Sequence, residues 1–373
     1  MRSNFYTRFI AIAGLLSWLI LPQFAQAQGP AHHVVIANGG KFGPANHVTI
    51  GTWDLGSQYT IFDSIAASSV QDLILAGDIG LLAADSFLVK YHLNPYYRLD
   101  SIKISGIRKL ALTDGNGSTS KILVTRGFGA SSDYVQAYDL GSMTQTWTSS
   151  SVNGESEGLA ILGDSVYVAV PGSFSDTTGK LAVINVADGT LGRYIELGTN
   201  GRGIGRVYAY NGSIWTINAL AFGSTTGIIS QYEIATQTLT HHSISHTLGG
   251  GAGFHNGLLY AYFDGNLGTF DPVTGMVSNA SLVAGSWAAS EVDTANKDIF
   301  LTETDFFSYG TLKHYDSTGQ FIDSLNIGIS PEAIALDNHL PVGLMESVVH
   351  SPAIVLWPNP TQDILHIDAR AFQ

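Results

Sequence analysis

Cysteine is absent from the 373-residue chain, which excludes disulfide bridges and a lipid anchor attached through cysteine, and leaves core packing as the source of stability. Charge is scarce as well. Asp, Glu, Lys and Arg make up 13% of the residues, with 17 basic against 30 acidic side chains and a formal charge of −13. Contacts to phosphate need clustered Lys and Arg, so nucleic acid and anionic membrane surfaces are excluded as partners. No stretch beyond residue 21 is apolar for the roughly 20 residues a spanning helix requires, and an integral membrane protein is not expected.

The N-terminus does carry one shorter apolar run, over residues 9–21, preceded by Arg2 and Arg8 and followed at 25–28 by "AQAQ", a small-x-small cleavage pattern. This predicts a secretory signal peptide over residues 1–27, cut after Ala27. Losing Arg2 and Arg8 leaves 15 basic against 30 acidic residues, a formal charge of −15. Beyond it, Gly occurs 42 times, and Val, Ile, Leu, Thr, Tyr and Phe recur in short bursts, the composition of short strands joined by turns.

One short pattern occurs seven times: an aromatic or aliphatic residue, a polar one, usually an aliphatic one, then a turn. The copies are Trp53-Asp54-Leu55, Tyr91-His92-Leu93, Tyr138-Asp139-Leu140, Ile184-Asn185-Val186, Tyr232-Glu233-Ile234, Phe270-Asp271-Pro272 and Tyr315-Asp316-Ser317, spaced by 38 to 48 residues. A second strand lies upstream of each, among them "VVIAN", "SVYVA" and "SIWTI". The glycine-rich "GTNGRGIGR" at 198–206, whose Gly201, Gly203 and Gly205 could be taken for a phosphate-cradling loop, aligns with "ISGIRKLAL", "GESEGLAIL" and "ISPEAIALD". It is therefore read as one copy of a recurrent first strand. Its continuation "RVYAYNGSIWTI" alternates and turns at Asn211-Gly212 as a hairpin does.

Four strands per period of about 40 to 45 residues are the blades of an all-β, seven-bladed β-propeller. The chain starts at a second strand, "HHVVIAN", and its last unit stops after a first strand, "PEAIALD", so the last blade is expected to be assembled from both termini, with the propeller spanning residues 28–340. "SVYVAV", "LAVINVADGT" and "ISPEAIAL" resemble YVTN-type propeller repeats, over about residues 33 to 338. "ANGGKFGPANHVTIGTWDL" and "TRGFGASSDYVQAYDL" are similar to a subset of exported surface propellers that open on an Asn-x-Gly-x-Phe-Gly loop. That resemblance implies a surface protein of a Gram-negative bacterium and offers cobamides, which some of the subset bind, as a ligand. This chain departs from the subset's lipoproteins in lacking their cysteine.

After a linker at 341–355, "LWPNPTQDILHIDARAFQ" at 356–373 resembles the opening of the sorting domain of the type IX secretion system. Trp357 stands where Tyr is usual, Pro358, Asn359 and Pro360 force a turn, and Ile364, Leu365 and Ile367 restart a strand. The resemblance implies the type IX machinery as a partner and a secreted or surface-attached product. The remainder of that domain is missing from the sequence.

Alternating strand direction brings the loops before each first strand, and those between second and third strands, to one face. The first-strand column is expected to present Gln71, Arg108, Glu157, Arg202, Trp287 and Glu332 there. The longer loops add Phe42, Phe128, Phe174, Phe222 and Phe306-Phe307. Two readings stand: the rings plug the gaps between blades, or they rim a ligand pocket interleaved with Arg126, Arg202, Glu303 and Asp305. The candidate ligand-binding set is Gln71, Arg108, Phe128, Glu157, Phe174, Arg202, Trp287 and Glu332.

Other groups point to less. His242 and His246 share a strand face at a separation too long for one metal ion, His32-His33 follows the cleavage site, and Asp114, Asn116, Asp264 and Asn266 sit in turns. No Gly-x-Ser-x-Gly elbow or triad is present, and neither cofactor nor metal is expected. The functional expectation is a non-catalytic binding module for a small molecule, glycan or surface protein; the alternative is a lactonase-like hydrolase or quinoprotein-like oxidoreductase, and fold alone does not choose.

Overall fold

The seven repeated triplets fall where neighbouring sheets meet. The structure, a computed structural model, describes residues 30–339 apart from 42, 44–45, 57, 114–119 and 174–175, together with the backbone of two short strands, Val355–Pro358 and Leu365–Asp368. The expected signal peptide, most of the linker, Phe42, Asp114, Asn116, Phe174, Asn359 and Pro360 lie outside the described residues. Trp357 and Pro358 belong to the first of the two short strands, which pairs antiparallel with the second.

Residues 30–339 form seven four-stranded antiparallel sheets. Blade 1 has the order Pro331–Asp337, His33–Asn38, Val48–Trp53, Tyr59–Ile65, so its innermost strand comes from the far end of the propeller sequence, with Val34 opposite Leu336 and Ile36 opposite Ile334. Blades 2 to 7 follow in chain order, and their innermost strands are Val70–Ala76, Ile107–Leu112, Leu159–Leu162, Ile204–Tyr210, Gly253–His255 and Ala289–Val292. The innermost strands of blades 7, 1, 2, 3, 4, 5 and 6 pack in that succession and so ring an axis. The fold is a seven-bladed β-propeller. No helix among the described residues is long and apolar enough to cross a membrane.

The core is divided into seven apolar clusters, one between each pair of adjacent blades. The first residue of every triplet lies in one of them: Trp53 between blades 7 and 1, Tyr91 between 1 and 2, then Tyr138, Ile184, Tyr232, Phe270 and Tyr315 around the ring, each buried against the preceding blade. The polar second residue serves the turn. Asp54, Asp139, Asn185, Asp271 and Asp316 each accept a backbone N–H two or three residues ahead, at 2.7 to 2.9 Å, the Asx-turn arrangement that closes a hairpin. Second strands such as Ser165–Val170 are buried on both faces and read as unbroken apolar runs, whereas outermost strands such as Phe321–Ile329 are largely exposed.

The stretch at 198–206 is a joint between blades 4 and 5. Thr199–Gly201 make one 3-10 turn before strand Ile204–Tyr210. A Cβ on Gly179 would collide with the Gly201 carbonyl, and Gly203 has φ of +67°, so backbone approach and handedness explain these two places. No helix follows, and the phosphate-loop alternative has no structural counterpart here.

Candidate functional site

Four innermost strands carry a charged residue directly before a buried aliphatic one: Asp72 before Leu73, Lys109 before Leu110, Arg206 before Val207 and Glu291 before Val292. Neighbouring residues of a strand face opposite ways, so burying the aliphatic side chain between blades turns the charged one to the axis. These four, with Gln71, Tyr208, Tyr262, Ser290 and Glu332, line a chamber of about 300 Å³. Because it is lined by the beginnings of the innermost strands, it opens toward the face of the loops that precede them. A second space of about 250 Å³ lies farther along the axis beside His255 and Asp293, and Glu291 borders both.

On one side of the ring every charged side chain has a partner. Glu332 of blade 1 accepts the Val70 N–H of blade 2 at 2.9 Å and the Ser330 hydroxyl at 2.6 Å. Asp72 accepts the Leu110 N–H of blade 3 at 2.8 Å and lies 3.5 Å from the Lys109 ammonium, which also donates to the Gln71 carbonyl. Burial pulls the Lys109 pKa below its ordinary value, with Asp72 opposing. Arg108 donates through Nε to Glu157 of blade 4 at 2.8 Å and through Nη1 to Gln71 at 3.4 Å. These contacts sew blades 1 to 4 together.

On the other side the charges are not matched. Blade 6, which separates Arg206 from Glu291, contributes Gly250 and Gly251 and an innermost strand of only three residues. The Arg206 side chain makes no hydrogen bond or ion pair among the described residues. Tyr262, from the second strand of blade 6, is 9% exposed; its hydroxyl is buried beside that of Ser290. Burial raises the Tyr262 pKa.

Glu291 keeps 28% of its side-chain surface, but that surface faces the axial spaces, and protein surrounds the carboxyl on the other sides. Desolvation, opposed by the Val292 N–H, pushes it up to about 8, so the carboxyl holds its proton at neutral pH. His255 is 3.7 Å away and gives no counter-charge. Its Nε2–H donates to the Ala252 carbonyl at 2.9 Å, Nδ1 lies 3.1 Å from the Thr294 hydroxyl, and burial lowers its pKa.

Of the eight ligand-site residues expected from sequence, Gln71 and Glu332 line the chamber, and Arg108 and Glu157 form the ion pair at its edge. Arg202 ends the 3-10 turn ahead of its strand, and the axial place there is held by Arg206. Trp287 is not brought to the chamber. It lies 8% exposed between blades 6 and 7, edge-on to Tyr315, with its indole N–H on the Val283 carbonyl. The offsets have separate causes: the register is irregular between Ile204 and Arg206, whereas the innermost strand of blade 7 starts only at Ala289, two residues after Trp287. Phe128 is 86% exposed, as are Phe222, Phe306 and Phe307 in large part, so these rings do not plug gaps between blades.

Lys109, Arg206, Tyr262, Ser290 and Glu291 were missed. For the charged ones a signal was present: a charge directly before the aliphatic residue of the first strand, in four copies. Tyr262 gave none, since it lies in the apolar run "LLYAYF". His246 bonds Asp264 at 2.6 Å and His242 stacks on Trp215, in separate surroundings, and no group of three or more potential metal ligands occurs among the described residues.

No protein-family model and no curated protein matches the chain. Solved structures do. A quinoprotein alcohol dehydrogenase-like protein from Bacteroides thetaiotaomicron superposes with TM-score 0.59 at 13% identity, covering 84% of this chain and 79% of that one. A hypothetical selenium-binding protein from Sulfolobus tokodaii gives 0.60 at 9% identity, covering 83% and 94%. A candidate 6-phosphogluconolactonase from Bacteroides fragilis gives 0.57 at 11% identity, covering 85% and 99%. At these identities the likeness shows the propeller fold alone, and the three names differ.

Proposed function

We propose that the protein is a binding propeller that holds a small molecule in the axial chamber, reached from the face carrying the loops before the innermost strands. One observation carries this reading: the Arg206 side chain lines the chamber with no ion pair among the described residues, next to Tyr262 and Ser290. A ligand group that pairs with the guanidinium supplies the partner that the protein does not. The exposed rings of Phe128, Phe222, Phe306 and Phe307 stand on loops of the same face and suit a larger apolar ligand or a partner. A cobamide is larger than the chamber and would lie across these rings with only an appended group inside. The test is a melting screen of the full chain with a cobamide, oligosaccharides, lactones and short organic acids and amides, since a ligand of the folded state raises stability by mass action. Shifts that vanish in a Tyr262→Phe, Ser290→Ala double variant support the chamber; no shift with any compound sinks it.

The enzyme reading is favoured by one feature, a glutamate protonated near neutrality beside a histidine. Against it, both nitrogens of His255 are engaged, which leaves no free base for proton transfer. Turnover of lactones or alcohols, lost in Glu291→Gln, would reverse the preference. For location we propose export through the signal peptide and delivery to the cell surface by the C-terminal segment, read by the type IX machinery. Fractionation of cells making the full gene product tests this, and periplasmic retention counts against it.

A further inference from the structure

The groups of the chamber wall beside blade 6 share a polarity. Arg206 can only donate and is permanently charged, and the Glu291 carboxyl keeps a proton to donate. Donors on the wall of one space call for an acceptor with several lone pairs. The count of charges narrows the choice further. Lys109 is matched by Asp72 and Arg108 by Glu157, so Arg206 is the one uncompensated cation in the chamber wall among the described residues. A single negative charge balances it; the second charge of a dianion would find no free cation and would face Glu332, which has hydrogen-bond donors but no cationic partner.

Arg206 also borders a neighbouring space of about 250 Å³ between blades 4, 5 and 6. Ile217, Ala219 and Leu248 form its apolar wall, Gly203, Gly205, Gly249 and Gly250 supply bare backbone, and Lys109 and Glu157 close it on the side of Arg206. A Cβ built on Gly205 meets nothing within 4 Å, so the room there is open. The guanidinium thus stands at the junction of a donor-lined chamber and a small apolar pocket.

From this junction we infer that the ligand is a monocarboxylate with a short apolar body, its carboxylate seated on the Arg206 fork beside Tyr262 and Ser290 and its body against Ile217, Ala219 and Leu248. The inference rests on the proposal that the chamber binds a small molecule, and it adds the charge, the chemical class and the orientation. The planar guanidinium matches a carboxylate through two parallel N–H···O bonds, and hydrocarbon leaving water for the pocket adds about fourfold in affinity per methylene.

The test uses octanoate and its neutral counterpart octanamide, titrated calorimetrically into the full-length protein. Octanoate is expected to bind at least tenfold tighter than octanamide, and to weaken at least tenfold both in Arg206→Met and in Gly205→Leu, which fills the apolar pocket from a site with room for a side chain. Melting curves establish that each variant is folded. Equal binding of the two probes, no octanoate binding, or octanoate binding unchanged in Arg206→Met overturns the inference. If neutral compounds of the wider screen still bind and are lost with Tyr262 and Ser290, only the carboxylate assignment falls; if nothing binds, the binding reading falls with it.

Discussion

Replacing Glu291 by Gln keeps the shape of the side chain and removes its proton equilibrium. In the folded chain the carboxyl holds its proton up to about 8, against an ordinary 4.5 when unfolded. Between these values unfolding releases a proton that folding retains, so the contribution is fully present below 4.5 and is lost as pH rises to 8. Burial lowers the pKa of His241, His242 and His255 from 6.5, which costs stability on the acid side instead. A comparison between about pH 7 and pH 9 therefore isolates the glutamate. Over that interval the wild type should lose about 1.4 kcal/mol that the variant keeps, reduced toward about 1 kcal/mol by water reaching the channel-facing edge. At about 2–4 °C per kcal/mol for a domain of this size, the variant's melting temperature should gain about 3 °C on the wild type from pH 7 to pH 9. Scanning calorimetry of both proteins at matched ionic strength reads this directly, because all other titrating groups are common to the pair. A gap that stays constant, or one that moves in favour of the wild type, would show that the carboxyl ionises as an exposed one does.

Trp287→Ala should destabilise the protein by about 3–5 kcal/mol in denaturant titrations, because it opens the interface of blades 6 and 7; a loss below about 1 kcal/mol would return this residue to the surface. Phe222→Ser and Phe306→Ser should each change stability by no more than about 0.5 kcal/mol, and a loss several times larger would mean that the rings are packed. Removing residues 28–60 deletes His33–Asn38, which pairs on one side with Pro331–Asp337 and on the other with Val48–Trp53. The product should not melt cooperatively, and a soluble, cooperatively melting one refutes closure of blade 1 through that strand.

The number of blades and their repeat were legible in the sequence because each is written in local chemistry. A large residue to fill the gap toward the preceding blade and an Asx residue to close the next hairpin must recur once per blade, as Tyr138-Asp139 and Phe270-Asp271 do. The joint at Gly201 and Gly203 was legible for the same reason. The site was legible only in part. Its column of charges lies in the sequence at Asp72, Lys109, Arg206 and Glu291, but an irregular register in blade 5 and a late strand start in blade 7 displaced the count onto Arg202 and Trp287.

By itself the sequence determined which side chains each innermost strand turns to the axis, since alternation along a strand depends on neighbours in the chain. Only the closed ring decided what those side chains meet. Asp72 and Lys109 belong to adjacent blades and compensate each other, whereas Arg206 and Glu291 are kept apart by the glycines of blade 6. Whether a charge is matched, a hydroxyl satisfied or a carboxyl protonated depends on distances between blades, among residues from 37 to 262 positions apart. Circular packing of seven sheets sets those distances, and no local pattern encodes them.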